Sequence, residues 1–352
     1  MANVIDARPT INIDNSDNAG LSQSMLNLVV SEDVSGLYRC EATFGNQGLV
    51  DGGIGYPLFD RRTLDFGKTM KVKIDNSVVF DGRIMTLEAV FPYGLAPSLT
   101  VLAEDRFQDL RMARRTRVFN DKDDRKIIES IAHDHRLSTQ IDITTQTHKV
   151  LAQVNQSDLA FLRELGRAID AEIWVEGSTL HAQSRAKRGS GSAIELRYGE
   201  KLEEFIVTAD LAHQRTSVTV SGWDTTSKAS IKHEATASII DRELNGDEGG
   251  IGILQSKIGA RKEMLAHTVP LTSEEAQNEA EAYLRMSARR FVVGRGTVHG
   301  ESRLRVGKAI NLTNLGPLFN GKYTLTEVRH LFGSSGLTSE FTAERPGIGK
   351  GR

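Results

Sequence analysis

The sequence predicts a mainly β fold with an α/β insert, in which two antiparallel β domains flank a small α+β unit. Three observations carry that reading. Alternating or β-branched runs fill residues from about 10 to 105 and return after 193, the period-2 mark of half-buried strands. Between them the apolar spacing changes to that of amphipathic helices. A polar, basic segment with Gly and Ser spacing, "SRAKRGSGSA" from Ser184 to Ala193, then reads as a linker or exposed loop with a boundary near Ser192. The domains expected are 1–105, 106–192 and 193–352, and 39% hydrophobic residues over 352 positions suffice for more than one core.

In the first domain the runs "TINID", "SMLNLVVS", "LYRCEATF", "MKVKID", "VVFDGRIMTLEAVF" and "SLTVLAED" are separated by Gly, Asn, Asp or Pro, as in an antiparallel barrel or sandwich. Asp75, Asn76 and Ser77 supply hairpin chemistry, because Asn and Asp tolerate the positive φ of tight turns. The glycine-rich "GNQGLVDGGIGYP" reads as a long loop. The one cysteine, Cys40, lies in an alternating run, packed or at a strand surface; it has no partner for an internal disulfide, and nothing demands an oxidising compartment.

In the insert, Ile127, Ile128, Ile131 and Ala132 fall on one helical stripe, with Asp121, Asp123 and Asp124 near its dipole-positive start. The stretch "NQSDLAFLRELGRAIDAEIWVEGSTLHAQ" begins a second helix with Ser157 as N-cap and Asp158 in the first turn. Its apolar face is Phe161, Leu162, Leu165 and Ile169, opposite Arg163, Glu164 and Arg167; burying that face contributes roughly 1.5–3 kcal/mol per residue. A hairpin follows across Glu176, Gly177 and Ser178. In the second β domain "TSVTVSGWD", "KASIKHEATASI", "FVVGRGTVHG", "KAINLT", "KYTLTEVRHLF" and "LTSEFTAE" are strands, interrupted by one helix at about 273–289. Thr272 and Glu275 form its capping box, Arg289 and Arg290 suit its C-terminus, and Ala276, Ala280, Tyr283, Leu284 and Ala288 pack inward.

The chemistry in these residues is sparse. A net charge of -2 argues against nucleic-acid binding as the main activity. No apolar run reaches the roughly 18 residues of a membrane span, and the N-terminus lacks a signal peptide's pattern, so synthesis in the cytoplasm without Sec export is expected. His133, Asp134 and His135 alternate as metal ligands can, but no third and fourth ligand stand nearby; imidazoles also suit the end of a helix. "GDEGGIGIL" and "VVGRGTVHG" match no phosphate cradle and read as turns or mobile loops. Arg111, Arg114, Arg115 and Arg117, without interleaved aromatics, suggest an exposed connector or partner-binding patch. Trp174 and Trp223 are read as core or domain-contact residues. No catalytic, cofactor-binding or metal-binding residue is assigned, and the expectation is a protein that is not an enzyme and holds no cofactor.

Taken in order, "VFDGRIMTLEAVF", "VLAEDRFQDLRMARRTRVFNDKDDRKIIESIAHDHRLS", "VNQSDLAFLRELGRAIDAEIWVEGSTLHA", "VTVSGWDTTSKASI" and "LRVGKAINLTNLGPLFNGKYTLTEVRHLFGSSGLTSEFTAERP" span most of Val79 to Pro346. This succession resembles the phage late control gene D protein family, the baseplate hub of contractile tails, and its relatives the valine-glycine repeat protein G spikes of type VI secretion. The resemblance implies two tube-like β-barrel domains per subunit and a homotrimeric ring whose six barrels let a sixfold inner tube sit on a threefold spike. It implies partners in the central spike protein, the inner tube or tube-initiator protein and other baseplate proteins, within a virion or phage-tail-like particle. No spike-like barrel or needle follows "ERPGIGKGR", so the spike is expected on a separate polypeptide. A tail-tip enzyme acting on the cell wall and a receptor- or carbohydrate-binding tail protein are the competing readings.

Overall fold

The computed structural model describes residues 8–74, 77–224, 227–266, 269–334 and 336–351; the expected turn at Asp75 and Asn76 lies outside them. The first half contains β1 (Thr10–Ile13), β2 (Ser16–Asp17), α1 (Ala19–Ser24), β3 (Met25–Asp33), β4 (Arg39–Gly45), β5 (Gly48–Val50), β6 (Gly53–Gly55), β7 (Thr69–Ile74), β8 (Ser77–Val90) and β9 (Ser98–Glu104). An α/β module follows: β10 (Arg114–Asp123), α2 (Asp124–Asp134), β11 (Ser138–Asp142), β12 (Thr147–Ser157), α3 (Asp158–Ala168), β13 (Ala171–Glu176), β14 (Thr179–Ser184) and α4 (Arg185–Arg188). The second half opens with β15 (Ile194–Arg197) and β16 (Leu202–Ala209) and then holds β17 (Ser217–Asp224), β18 (Ala229–Thr236), β19 (Glu248–Gly249), α5 (Gly250–Lys257), β20 (Lys262–Leu265) and α6 (Ser273–Arg289). It closes with β21 (Val292–His299), β22 (Ala309–Thr313), α7 (Gly316–Phe319), β23 (Gly321–Gly333), β24 (Gly336–Arg345) and β25 (Gly347–Ile348).

The fold is mainly β with an α/β insert, as the sequence predicts. One sheet runs β16-β21-β24-β23-β3-β4-β9-β8-β7-β1-β2, with β22 and β15 branching from β23. The branch point explains how the halves join. The start of β23 pairs with β22, and its later part, Glu327 to Phe332, pairs on the same edge with β3. Among the described residues neither half closes into a barrel by backbone pairing. In the first half α1 packs between β1 and β4 instead: Leu21 is buried and Ser22 Oγ accepts a hydrogen bond from Ile11 N at 3.3 Å. In the second, β15 turns directly into β16, with Tyr198 bridging Leu202.

Alternation puts one face of each strand inward, and four apolar clusters result. Val30, Cys40, Phe44, Met70, Val72 and Val101 fill the first half, and Val292, Leu312, Tyr323, Leu325, Val328 and Phe341 the second. The helices of the insert bury the predicted stripes, with Ile127, Ile128, Ile131 and Ala132 meeting Phe161, Leu162 and Leu165, except that Ile169 is the half-buried C-cap of α3 and not part of its buried face; Ser157 Oγ caps α3 by accepting from Ala160 N at 3.2 Å. The fourth cluster was not foreseen as a unit. There α6, capped by Thr272 Oγ1 accepting from Glu275 N at 3.1 Å, lies on the separate sheet β18-β17-β20 through Ala276, Ala280 and Leu284. Each half therefore contributes strands to the joined sheet and carries an α/β module.

The glycine clusters read as turns or mobile loops are regular structure. "VVGRGTVHG" includes all of β21, and "GDEGGIGIL" enters α5 at Gly250. Neighbouring rings explain the glycines: a Cβ on Gly294 would lie 2.1 Å from Phe205 Cζ, and one on Gly296 2.5 Å from Phe341 Cζ. A strand glycine marks close approach when a partner ring covers it. We expect Gly296→Ala to cost about 1–3 kcal/mol by overpacking, whereas Gly252→Ala, on the exposed side of α5 with open space around it, should stabilise by about 0.5–1 kcal/mol. Urea unfolding of the two variants checks both signs.

Candidate functional site

The two charged motifs singled out in the insert come together, but inward. Asp158, almost wholly buried at the start of α3, accepts from Arg117 at 2.7 Å and Gln153 at 2.9 Å, and its Oδ2 lies 2.8 Å from His135 Nε2. Burial opposes its ionisation, but the bonds from His135 and Gln153 and the charges of Arg117 and Arg115 outweigh it and hold the carboxyl below the usual carboxylate range. Asp134 pairs with Arg115 and Arg117 at 3.2 and 2.8 Å, while His133 stays exposed on α2. Arg111 pairs with Glu104 at 2.7 Å and Arg114 donates to the Asn155 carbonyl at 2.8 Å. The expected arginine patch is thus largely spent on internal struts. Among the described residues no group of three or more His, Cys, Asp or Glu is placed to hold a metal ion, and no helix is long and apolar enough to cross a membrane.

The segment "SRAKR", read as part of an exposed linker, instead mortars the modules together. Arg188 is 8% exposed; its guanidinium lies 3.8 Å from the Trp174 ring centroid and donates to Glu172 at 2.7 Å and Tyr38 Oη at 3.1 Å. Arg185 bridges Glu172 and Glu344 at 3.3 and 2.5 Å. Trp174 stacks on His181 with centroids 5.0 Å apart and enters the core of the first half, so it is the domain contact expected of it. Arg289 continues the seam to Asp170 and, at 2.7 Å, to Glu243. Arg305 lies against Glu32, which also accepts from Val306 N at 3.2 Å. Sequence gave no signal for this seam, because each arginine's acid stands far along the chain.

One pair has the outline of a nucleophile and base. His330 Nδ1 lies 2.8 Å from Ser339 Oγ, and Nε2–H donates to the Leu304 carbonyl at 3.0 Å. Both residues are wholly buried, and Ser339 also lies 3.0 Å from the Glu301 carbonyl. Satisfied by backbone and sealed from solvent, the pair is a core histidine with its partner.

What the surface offers is contact area. On the face of the joined sheet away from the cores a polar row crosses the junction: Glu340, Arg329, Ser31 and Arg39 stand opposite one another in register on β24, β23, β3 and β4, with the half-buried pair Leu331 and Val29 beside it on the same face. The segment read as a long loop contains the hairpin β5–β6, where Leu49 and Ile54 face each other across the strands yet are 83% and 80% exposed. Behind it Tyr56, Phe59 and Phe91 form a ring cluster with centroids 5.3–6.4 Å apart. Trp223, near the end of β17, is half exposed and not a core residue.

Solved structures share this arrangement over nearly the whole chain. The 43 kDa tail protein of prophage MuSo2 from Shewanella oneidensis is similar at a TM-score of 0.69 and 12% identity, covering 96% of this chain and 98% of its own. A tail protein from Neisseria meningitidis is similar at 0.69 and 13%, covering 97% of each chain. An Escherichia coli component of the type VI secretion system, itself described as similar to phage T4 tail proteins, matches at 0.57 and 10%, covering 93% of this chain and 76% of its own. At these identities the likeness is one of fold, and the fold is that of phage tail and secretion-spike proteins. A comparison by sequence with curated proteins finds no match. The family model described as the Alg8 N-terminal domain matches residues 53–333, and the chain belongs to that family.

Proposed function

We propose that the chain is a structural baseplate hub of a contractile injection system, of the late control gene D type, whose homotrimeric ring joins a sixfold inner tube to a threefold central spike. The observation that carries this reading is the β3–β23 junction, which fuses two half-sheets, each with its own α/β module, into one sheet. Three copies then offer six similar sheet units, so passive surface fit bridges the symmetry mismatch without chemistry. The polar row across the junction suits the wall of a channel, and the tail-protein fold of the neighbours supports a structural rather than an enzymatic role. Spike protein, inner tube or tube-initiator protein and other baseplate proteins are the partners, in the baseplate of a virion or phage-tail-like particle. Light scattering of the purified protein should give three times the chain mass alone and a larger complex with tube and spike proteins; a stable monomer that ignores both would overturn the proposal.

A further inference from the structure

We infer that the β5–β6 hairpin of one copy docks in the depression between the β16–β17 and α5–β20 connections of the next copy, an inference that rests on the ring reading above. A ring closes only through a heterologous contact between two different patches of one chain, and these two patches are complementary in charge, each with an apolar centre. The hairpin presents the Leu49–Ile54 pair to water, with Asp51 and Gly52 at positive φ forming its tip. Asp51 is exposed and has no ion-pair partner among the described residues. Its sequence, Val50-Asp51-Gly52-Gly53, is the Asp-Gly chemistry of a tight two-residue turn, so the pair is held out on a defined element.

The depression has a volume of about 610 Å³ and an apolar floor of Leu211, Leu254 and Ile258. Its rim is basic. Arg215 is neutralised by Glu263 at 2.6 Å and Lys262 by Glu234 at 3.2 Å, whereas the Arg261 guanidinium donates to the carbonyl of its neighbour Ala260 at 2.9 Å and, among the described residues, meets no acid. An apolar pair carrying one unpaired acid thus faces an apolar floor carrying one unpaired base. Desolvated apolar anchors ringed by such polar contacts are where association energy concentrates.

The first test measures the dissociation constant of the wild-type ring and its variants by light scattering over a dilution series. Leu49→Asp, Ile54→Asp and Ile258→Asp should each weaken the ring about tenfold or more. Asp51→Arg and Arg261→Asp should each weaken it, and the two together should restore it. The second test mixes two single variants, Asp51→Cys and Ala260→Cys, both at exposed positions, under mild oxidation; native Cys40 is fully buried. The mixture should give a cross-linked pair containing one of each chain, and neither variant alone should give that product. If the wild type is a ring but the aspartate variants leave it intact and no mixed cross-link forms, this interface is wrong while the hub reading stands. A wild type that is monomeric with or without its partners overturns both. A cross-link or loss of binding seen only with tube or spike protein assigns the hairpin to that partner and overturns docking between copies.

Discussion

Arg305→Met is expected to destabilise the chain by about 3–5 kcal/mol, the range for removing one member of a buried ion pair. Glu32 has no exposed surface worth the name, at 1%, and sits on β3, the strand through which the two halves join. Burial pushes its carboxyl up, and the Arg305 charge, the Val306 N–H and Arg188 only partly offset this, so it remains above the ordinary carboxylate value. Arg305 meets it as a close charge contact outside the alignment of a hydrogen bond and also lies over the Tyr38 ring at 5.6 Å. Losing the guanidinium leaves a buried carboxyl offset only by the Val306 N–H and the Arg188 charge, which costs more than the pair contributes. Glu32→Leu combined with Arg305→Met should therefore recover most of the loss, since apolar replacement of a whole buried pair is often neutral. Guanidinium unfolding measures all three, with hydrogen exchange along β3 and β23 reporting whether the junction opens first. A single variant that loses less than about 1 kcal/mol, the scale of an exposed pair, would show that water reaches the pair.

These residues also mark where sequence reading reaches and where it stops. Periodicity and capping located α2, α3 and α6, because the cap, stripe and dipole signals of a helix lie within one short segment; Ser157 and Thr272 cap as their positions imply. Strand alternation likewise exposed most of the joined sheet. Pairing between distant strands is not local, so the shared edge of β23 and the parallel β17–β20 contact that makes the second module had no signature. Glycine misled for the same reason: Gly294 and Gly296 look like turn residues until Phe205 and Phe341 are laid over them. The hairpin was different. Asp51-Gly52 between apolar residues was a legible turn signal, outweighed by the number of glycines around it. The arginines of "SRAKR" announced charge, but their acids, Glu172 and Glu344, could be paired with them only in space.

The histidine contribution to stability should peak near pH 6.5, because two buried histidines are shifted in opposite directions from that value. Burial pushes His330 down to about 4, with the charge of Arg305 adding to it and the Leu304 carbonyl opposing. The unfolded chain then takes up a proton below pH 6.5 that the folded chain refuses until about 4, so folding loses about 3 kcal/mol as pH falls across that window. His148 runs the other way. Burial lowers it, but Asp124 at 2.8 Å and Glu275 at 3.0 Å hold both ring nitrogens and together raise it to about 9. Here the folded chain keeps the proton, so the stabilisation is complete below pH 6.5 and about 3 kcal/mol is lost as pH rises through 9. Glu275 belongs to α6 and Asp124 to α2, so this imidazolium ties the two α/β modules to each other, helped by Asn278 donating to Gln146 at 2.7 Å. His148→Gln should flatten the alkaline limb of the unfolding free energy and leave the acid limb in place, while His330→Gln should do the reverse at some cost in packing. Urea titrations from pH 4 to 10, followed by the fluorescence of Trp174 in the seam with Trp223 replaced by Phe in every variant, separate the limbs; an alkaline slope that survives His148→Gln would mean that the clamp between the modules does not carry its proton.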